Sequence, residues 1–191
     1  MSREFLDKIE ASPIIAAVKD DDGLSRCLES SIDIVFVLYG DICSIPDIVE
    51  KIKRDGRTAL VHMDLVSGLA PKDAALDYIR KFTQADGIIT TKANLIPYAR
   101  SLGFYTVLRY FVLDSMALES VEKGSRYGVV QPDVIEILPG ILPAKMIREF
   151  NRISRVPIIC GGLIRDREDV MQALKGGAAA ISTTNQKVWF M

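Results

Sequence analysis

The stretch VPIICGGLI at residues 156–164, followed after a helix-like segment by GGAAAISTTN at residues 176–185, decides how this chain is interpreted. Each half is a short apolar run, typical of a buried strand, that ends in glycine or hydroxylated residues. Backbone N–H groups at such ends can converge on an anion, because glycine lets the backbone approach closely. We expect four residues there to contact a phosphate: Gly161, Gly162, Ser182 and Thr183. Two tight turns without a ligand are the alternative interpretation.

The same alternation of a short apolar run with a helix-like segment extends through the whole chain. It predicts strands at residues 14–18, 33–38, 58–63, 87–90, 106–111, 134–138, 157–160 and 179–182, with helices at 24–30, 45–54, 72–82, 94–101, 115–123, 144–153, 167–175 and 186–190. Continuous apolar runs separated by helices indicate parallel strands buried on both faces. We expect residues 1–191 to form a single α/β domain, a compact TIM-type (β/α)₈ barrel with parallel strands and a short C-terminal helix. The loops after strands seven and eight of such barrels commonly hold phosphate.

Composition is that of a globular protein without membrane segments. The 191 residues are 49% hydrophobic and 26% charged, which allows a substantial core. The net charge of −1 and pI of about 5.9 give no overall field for a polyanion, so any nucleic-acid contact needs a local basic patch. No apolar run suits a signal peptide or a membrane span, which predicts a cytoplasmic protein with no membrane partner.

Cysteine and histidine usage predicts no metal and no cofactor. The chain has one histidine, and its three cysteines form no CxxC pair, whereas zinc sites cluster such residues at short spacing. We interpret Cys27, Cys43 and Cys160 as small buried hydrophobic residues. Cys160 adjoins the predicted phosphate segment, so a nucleophilic role is the alternative.

Charged residues follow several predicted strands at the end where a barrel of this kind has its mouth. Side-chain alternation along each strand predicts that they face inward: Lys19, His62, Asp64, Lys92, Arg109 and Glu136. Lys92 enters this set because Ile88 and Thr90 are assigned to the inward face. Taken singly, each residue is better interpreted as an ordinary solvated loop charge. Together they suit a small phosphorylated ligand, with hydroxyl groups on Asp64 and Glu136 and cations that neutralise charge.

The same residues also permit catalysis. An isomerase or lyase on this fold needs an acid and a base across its substrate. Asp64 or Glu136 would be the base, and His62 or Lys92 the acid. This alternative rests on the fold class alone, and we predict no catalytic residues.

Several segments together resemble one bacterial protein family. They are SPIIAAVKDD, VFVLYGDI, VHMDLVSGL, DGIITTKANLI, VLRYFVLDS, DVIEILPGILP, VPIICGGLI and ALKGGAAAISTTNQKVW, and they span nearly the whole chain. Their combination is similar to the glycerol-3-phosphate-responsive antiterminators of glycerol uptake operons. The resemblance implies a sensor that binds glycerol-3-phosphate as its effector and then acts on leader mRNA of glycerol operons. A phosphate-binding protein without an RNA partner is a weaker alternative, and a homo-oligomer is left open.

A basic stripe on the sixth predicted barrel helix is the first candidate for the RNA surface. Its residues recur at helical spacing: Lys145, Arg148, Arg152 and Arg155. Two further clusters are Lys51, Lys53, Arg54 and Arg57, and Arg165 with Arg167. Charges on outer helices are commonly solvated faces, so each cluster has that alternative.

Overall fold

The computed structural model describes residues 3–127 and 130–191, and it confirms the predicted (β/α)₈ barrel. Within these residues eight parallel strands pair in chain order, and the eighth closes on the first. The strands are β1 Ile14–Val18, β2 Ile34–Val37, β3 Thr58–His62, β4 Gly87–Thr90, β5 Tyr105–Phe111, β6 Val134–Leu138, β7 Ile158–Gly161 and β8 Ala180–Thr183. The α-helices are α1 Arg3–Ala11, α2 Asp21–Leu28, α3 Ile45–Arg54, α4 Asp73–Phe82, α5 Ile96–Ser101, α6 Ser115–Tyr127, α7 Ala144–Ile153 and α8 Arg167–Lys175.

Alternate residues of each strand build two apolar layers. One layer fills the barrel interior with residues such as Ile15, Leu60 and Val107. The other lies between the strands and the surrounding helices. The continuous apolar runs of the sequence are thus explained by burial on both faces of every strand.

The assignment of inward faces is correct for β1, β3, β5 and β6 but wrong for β4. Ile89 lies in the interior layer, while Ile88 packs outward under the helices. The pairing of β3 with β4 places Ile89 beside His62, which fixes the face. The run Gly87–Thr90 is apolar on both faces, so its own pattern could not reveal which residues point inward.

Helix α1 was not predicted, and it covers the amino-terminal end of the barrel. Phe5 and Ile9 lie one turn apart on one face of the helix and are almost fully buried within the interior layer. The Phe5 ring stacks on Tyr105 with 4.7 Å between ring centroids. Lys8 Nζ also donates a hydrogen bond to Thr58 Oγ1 over 3.1 Å. The interior is therefore closed at this end, and the opposite end is the mouth.

Five of the eight predicted helices differ in their bounds from the observed elements, and two of them, α4 and α5, differ only because they begin one and two residues later. Helix α2 begins at Asp21, because the Asp20 side chain accepts a hydrogen bond from the Gly23 N–H and caps the helix. Helix α6 continues to Tyr127. The short C-terminal helix is a 3₁₀ turn, Val188–Phe190. Two other 3₁₀ turns, Met63–Leu65 and Ala93–Leu95, follow β3 and β4. Across the described part of the chain, no helix is both long and apolar enough to cross a membrane.

Candidate functional site

A cavity of about 400 Å³ opens at the carboxyl ends of the strands. Its wall is formed chiefly by the loops after β7 and β8, and its floor by inward-facing strand residues. The lining residues are Ala17, Leu38, Arg109, Glu136, Leu138, Gly162, Leu163, Ile164, Arg165, Ser182, Thr183, Thr184 and Asn185. The structure thus brings Arg109, Glu136, Gly162, Ser182 and Thr183 of the predicted set together around one cavity.

A buried polar cluster forms the floor of this cavity, and we call Arg109, Glu136 and Ser182 the floor cluster. Arg109 Nε donates to Glu136 Oε2 over 2.6 Å, and the Ser182 hydroxyl donates to Glu136 Oε1. Glu136 is fully buried and Arg109 is 7% exposed. A buried carboxylate is tolerated only when it is paired and hydrogen-bonded, and here both its oxygens have partners.

Gly161 makes room for the floor cluster. A Cβ at this position would lie 2.4 Å from Glu136 Oε1 and 2.6 Å from Ser182 Oγ. Gly161 itself is not among the residues that line the cavity. The first glycine of the pair is therefore explained by the approach of two side chains, a reason that the sequence pattern does not reveal.

Gly162 and Leu163 turn the chain away from β7 and line the cavity wall. Both have left-handed backbone conformations, with φ of 78° at Gly162 and 61° at Leu163. Such values are uncommon for a residue with a branched side chain, and Leu163 is also 56% exposed. Leu163 was not predicted, because an apolar side chain after the strand carries no signal for a left-handed backbone or for a ligand contact.

Thr183 connects the two loops instead of pointing into the cavity floor. Its hydroxyl donates to the Ile164 carbonyl over 2.9 Å and accepts from the Asn185 N–H over 3.0 Å. The indole N–H of Trp189 donates to the Thr183 carbonyl. Thr183 lines the cavity mainly as the link that holds the β8 loop against the β7 loop, while Ser182 faces inward.

His62 lies buried in the barrel interior, on the same inward face as Leu60. Its Nδ1 is buried and has no hydrogen-bond partner among the described residues. Burial lowers the pKa of His62 to about 4, and the positive charge of Arg109 adds to this effect. His62 is therefore neutral near pH 7, and this removes a like charge from beside Arg109.

Asp64 is engaged in holding the end of β4. Its carboxylate accepts hydrogen bonds from the Thr90 hydroxyl, the Thr91 hydroxyl and the Thr91 N–H, all between 2.7 and 2.8 Å. Burial acts to raise the pKa of Asp64, but these hydrogen bonds outweigh it and hold the pKa below its ordinary value. Asp64 does not line the cavity.

The two lysines of the predicted rim lie outside the cavity. Lys19 and Lys92 are exposed, and neither is among the cavity-lining residues. Lys92 follows the strand whose inward face was wrongly assigned. Arg165, which was predicted only as part of a basic cluster, does line the cavity at its exposed edge.

Cys160 faces away from the cavity, in the layer between the barrel and its helices. Burial raises the pKa of its thiol to about 12, and the charge of Glu136 adds to this. A thiol in this state is a poor nucleophile. Cys27 is also buried, whereas Cys43 is exposed, so the expectation of burial is wrong for Cys43.

The basic clusters differ in what their side chains contact. Arg57 is buried and donates hydrogen bonds to the carbonyls of Cys27, Leu28, Ser30 and Ile32. Lys53 pairs with Asp86 and Arg54 with Glu50, so most of that cluster stabilises the fold. The α7 stripe is exposed at all four positions, Lys145, Arg148, Arg152 and Arg155. Arg155 lies just beyond the end of α7. None of the ion pairs found in residues 3–127 and 130–191 involves this stripe.

Comparison with known proteins identifies close relatives across nearly the whole chain. A family described as glycerol-3-phosphate responsive antiterminator matches residues 14–189. A crystal structure of a glycerol uptake operon antiterminator regulatory protein from Listeria monocytogenes is 33% identical, covers 92% of this chain and 94% of its own, and has a TM-score of 0.85. A glycerol uptake operon antiterminator-related protein from Thermotoga maritima is 36% identical over 93% of this chain and 98% of its own, with a TM-score of 0.80.

Two further matches, one by sequence and one by fold alone, mark the range of similarity. The Escherichia coli K12 protein YgcP, which carries no assigned function, is 41% identical over 185 residues, 97% of this chain and 95% of its own. An N-acetylmannosamine-6-phosphate 2-epimerase from Clostridium perfringens is 14% identical, covers 98% of this chain and 93% of its own, and has a TM-score of 0.70. At that identity only the fold is shared.

Proposed function

The chain belongs to the glycerol-3-phosphate responsive antiterminator family, and from that premise we propose that it is a regulator that binds glycerol-3-phosphate at the barrel mouth. With the effector bound, it contacts leader mRNA of glycerol-utilisation operons and lets transcription pass a terminator. The observation that carries the proposal is the cavity between the β7 and β8 loops, with a paired arginine at its floor.

The cavity suits a small phosphorylated molecule. Its volume of about 400 Å³ is at the small end of the range for ligand sites. The loops after β7 and β8 are the usual phosphate position in this fold; Gly162 and Arg165 lie on the first loop and Asn185 on the second. Arg109 adds a fixed positive charge below, because Glu136 holds its side chain in place.

Several features support ligand binding without turnover. Asp64, the candidate base, already accepts three hydrogen bonds and lies outside the cavity. Lys92, a candidate acid, is exposed. His62 is a neutral imidazole near pH 7, since its pKa is lowered to about 4, so it lacks the acidic imidazolium proton of a general acid. Glu136, the other candidate base, does line the cavity, but both its oxygens already accept hydrogen bonds, from Arg109 and Ser182. An isomerase or lyase would need an acid and a base across the substrate, and these residues do not supply that pair.

The α7 stripe is the surface that we propose for RNA. Its arginines and lysine are exposed and have no ion-pair partner among the described residues, so they can neutralise backbone phosphates. Helix α7 lies between β6, which carries Glu136, and β7, which leads to the cavity wall. A ligand in the cavity contacts β6 before this helix and the loop that follows β7 after it. Such a ligand can shift the position of α7, provided that it binds the protein more tightly with the helix in one position than in another.

A thermal-shift titration tests the effector. Glycerol-3-phosphate at millimolar concentration should raise the melting temperature by several degrees, since a ligand at 100 times its Kd stabilises by about 2.7 kcal/mol. Glycerol and inorganic phosphate serve as controls. Equal melting temperatures with and without glycerol-3-phosphate would contradict the effector proposal.

A gel-shift titration with glycerol-operon leader RNA tests the partner. The charge reversal Arg148→Glu with Arg152→Glu should weaken RNA binding at least about tenfold while the thermal shift by glycerol-3-phosphate persists. Lys72→Glu with Lys81→Glu is the matched control, because it reverses two exposed charges at the two ends of α4, outside every candidate RNA cluster. Equal losses in both variants would place the RNA elsewhere, and no binding by the wild type would leave a sensor without RNA.

A further inference from the structure

We propose that the floor cluster recognises the hydroxyl groups of the effector, so that the ligand binds with its diol inward and its phosphate outward. This inference rests on the proposed function and adds to it the orientation and selectivity of the ligand. It assigns Ser182 to the hydroxyl end, in place of the phosphate contact that the sequence predicted.

The hydrogen bond from Ser182 to Glu136 determines what the floor cluster can bind. Ser182 has a single hydroxyl proton, and it is donated to Glu136 Oε1. Ser182 Oγ therefore presents only lone pairs to the cavity, as does the carboxylate of Glu136. A fully ionised phosphate has no proton to donate, so neither group can hydrogen-bond to it. An alcohol hydroxyl can donate to both.

Arg109 supplies the complementary donors. Its Nε is taken by Glu136, and its remaining N–H groups belong to a side chain that lines the cavity. A hydroxyl group both donates and accepts, so a site with acceptors and donors side by side satisfies it fully. Two vicinal hydroxyls, as on the glycerol end of glycerol-3-phosphate, match a floor with two acceptor residues and one fixed guanidinium.

Burial gives the orientation. Glu136 and Ser182 are 0% and 3% exposed, whereas Arg165 at the outer edge is exposed. Desolvating a doubly charged phosphate costs far more than desolvating an alcohol that gains hydrogen bonds. The phosphate therefore stays at the outer loops beside Gly162 and Arg165, and the neutral end enters the floor.

A ligand series measures the selectivity by isothermal titration calorimetry. The wild type should bind glycerol-3-phosphate about tenfold to a hundredfold more tightly than n-propyl phosphate, which has the same charge and chain length without hydroxyls. Inorganic phosphate should bind about as weakly as n-propyl phosphate. Affinities for glycerol-3-phosphate and n-propyl phosphate within twofold of one another would overturn the proposal.

Two serine variants locate the selectivity. Ser182→Ala should reduce the affinity for glycerol-3-phosphate about tenfold and change that for n-propyl phosphate by less than twofold. Ser125→Ala is the control, since Ser125 is equally buried but lies on the outer side of the barrel wall in α6, where its hydroxyl has no partner among the described residues. It should leave both affinities unchanged. An equal loss for both phosphates in Ser182→Ala would overturn the proposal.

The same experiments distinguish a failure of the effector proposal from a failure of hydroxyl recognition by the floor cluster. If no phosphate ester binds the wild type, the effector proposal fails, and glycerol alone then tests the floor. A stabilisation by glycerol that is larger in Ser125→Ala than in Ser182→Ala would still support hydroxyl recognition. Equal stabilisation of the two variants would overturn it.

Discussion

Replacing the two adjacent glycines after β7 separates two different physical requirements. In Gly161→Ala the new Cβ would lie 2.4 Å from Glu136 Oε1 and 2.6 Å from Ser182 Oγ, so the buried ion pair must shift. Overpacking next to a buried pair should cost about 3 kcal/mol of unfolding free energy. For a chain of this length that is roughly 6–12 °C in melting temperature. The variant should also lose most of its thermal shift with glycerol-3-phosphate.

The neighbouring change is the comparison. In Gly162→Ala the Cβ meets Leu138 at an ordinary 3.4 Å, and the cost arises from the φ of 78°. Gly56 has the same φ and open space around it, so Gly56→Ala measures the backbone cost alone. Both should lose about 1 kcal/mol. Chemical denaturation measures the loss of unfolding free energy in the three variants. A loss in Gly161→Ala no larger than that in Gly56→Ala would refute the reasoning. In a Ser182→Ala background one close atom is removed, so the Gly161→Ala cost should shrink.

Three further predictions concern the fold and its titrating groups. Phe5→Ala should destabilise the barrel by about 3–5 kcal/mol in urea denaturation, because it removes the ring that closes the interior. His62 is the single histidine, and its folded pKa of about 4 lies below the ordinary 6.5, so the unfolded state binds its proton first. Stability should therefore fall by about 3 kcal/mol as pH drops from 6.5 towards 4, and His62→Asn should flatten this slope; identical slopes would contradict it. Ellman's reagent should modify exposed Cys43 in the native protein well before Cys160, whose pKa is raised to about 12.

Much of the barrel could be predicted because parallel strands buried on both faces leave a plain signal. The bounds of β1, β4, β6, α3, α7 and α8 agree with the structure residue for residue. The family, too, was predicted from the combined segments and is confirmed. The inward face of β4 could not be predicted from its own residues, because it is fixed by the pairing of β4 with β3.

The candidate site was predictable in position and less so in detail. The ends of β7 and β8 were expected to form it, and they do line the cavity. The reason for Gly161 could not be read from the sequence, because the side chains that need its space come from β6 and β8. Helix α1 is indicated by the sequence itself, because the apolar residues Phe5 and Ile9 are four positions apart, as on one face of a helix.

The helix that closes the barrel has a consequence for synthesis on the ribosome. Helix α1 precedes every strand, yet the interior against which Phe5 packs includes Ala180 of β8, near the other end of the chain. Chains emerge at about 5–20 residues per second, so α1 waits many seconds before its binding surface is complete. During that interval Phe5 and Ile9 are apolar groups without their native packing partners, so this helix is a segment that a chaperone can bind until β8 is complete.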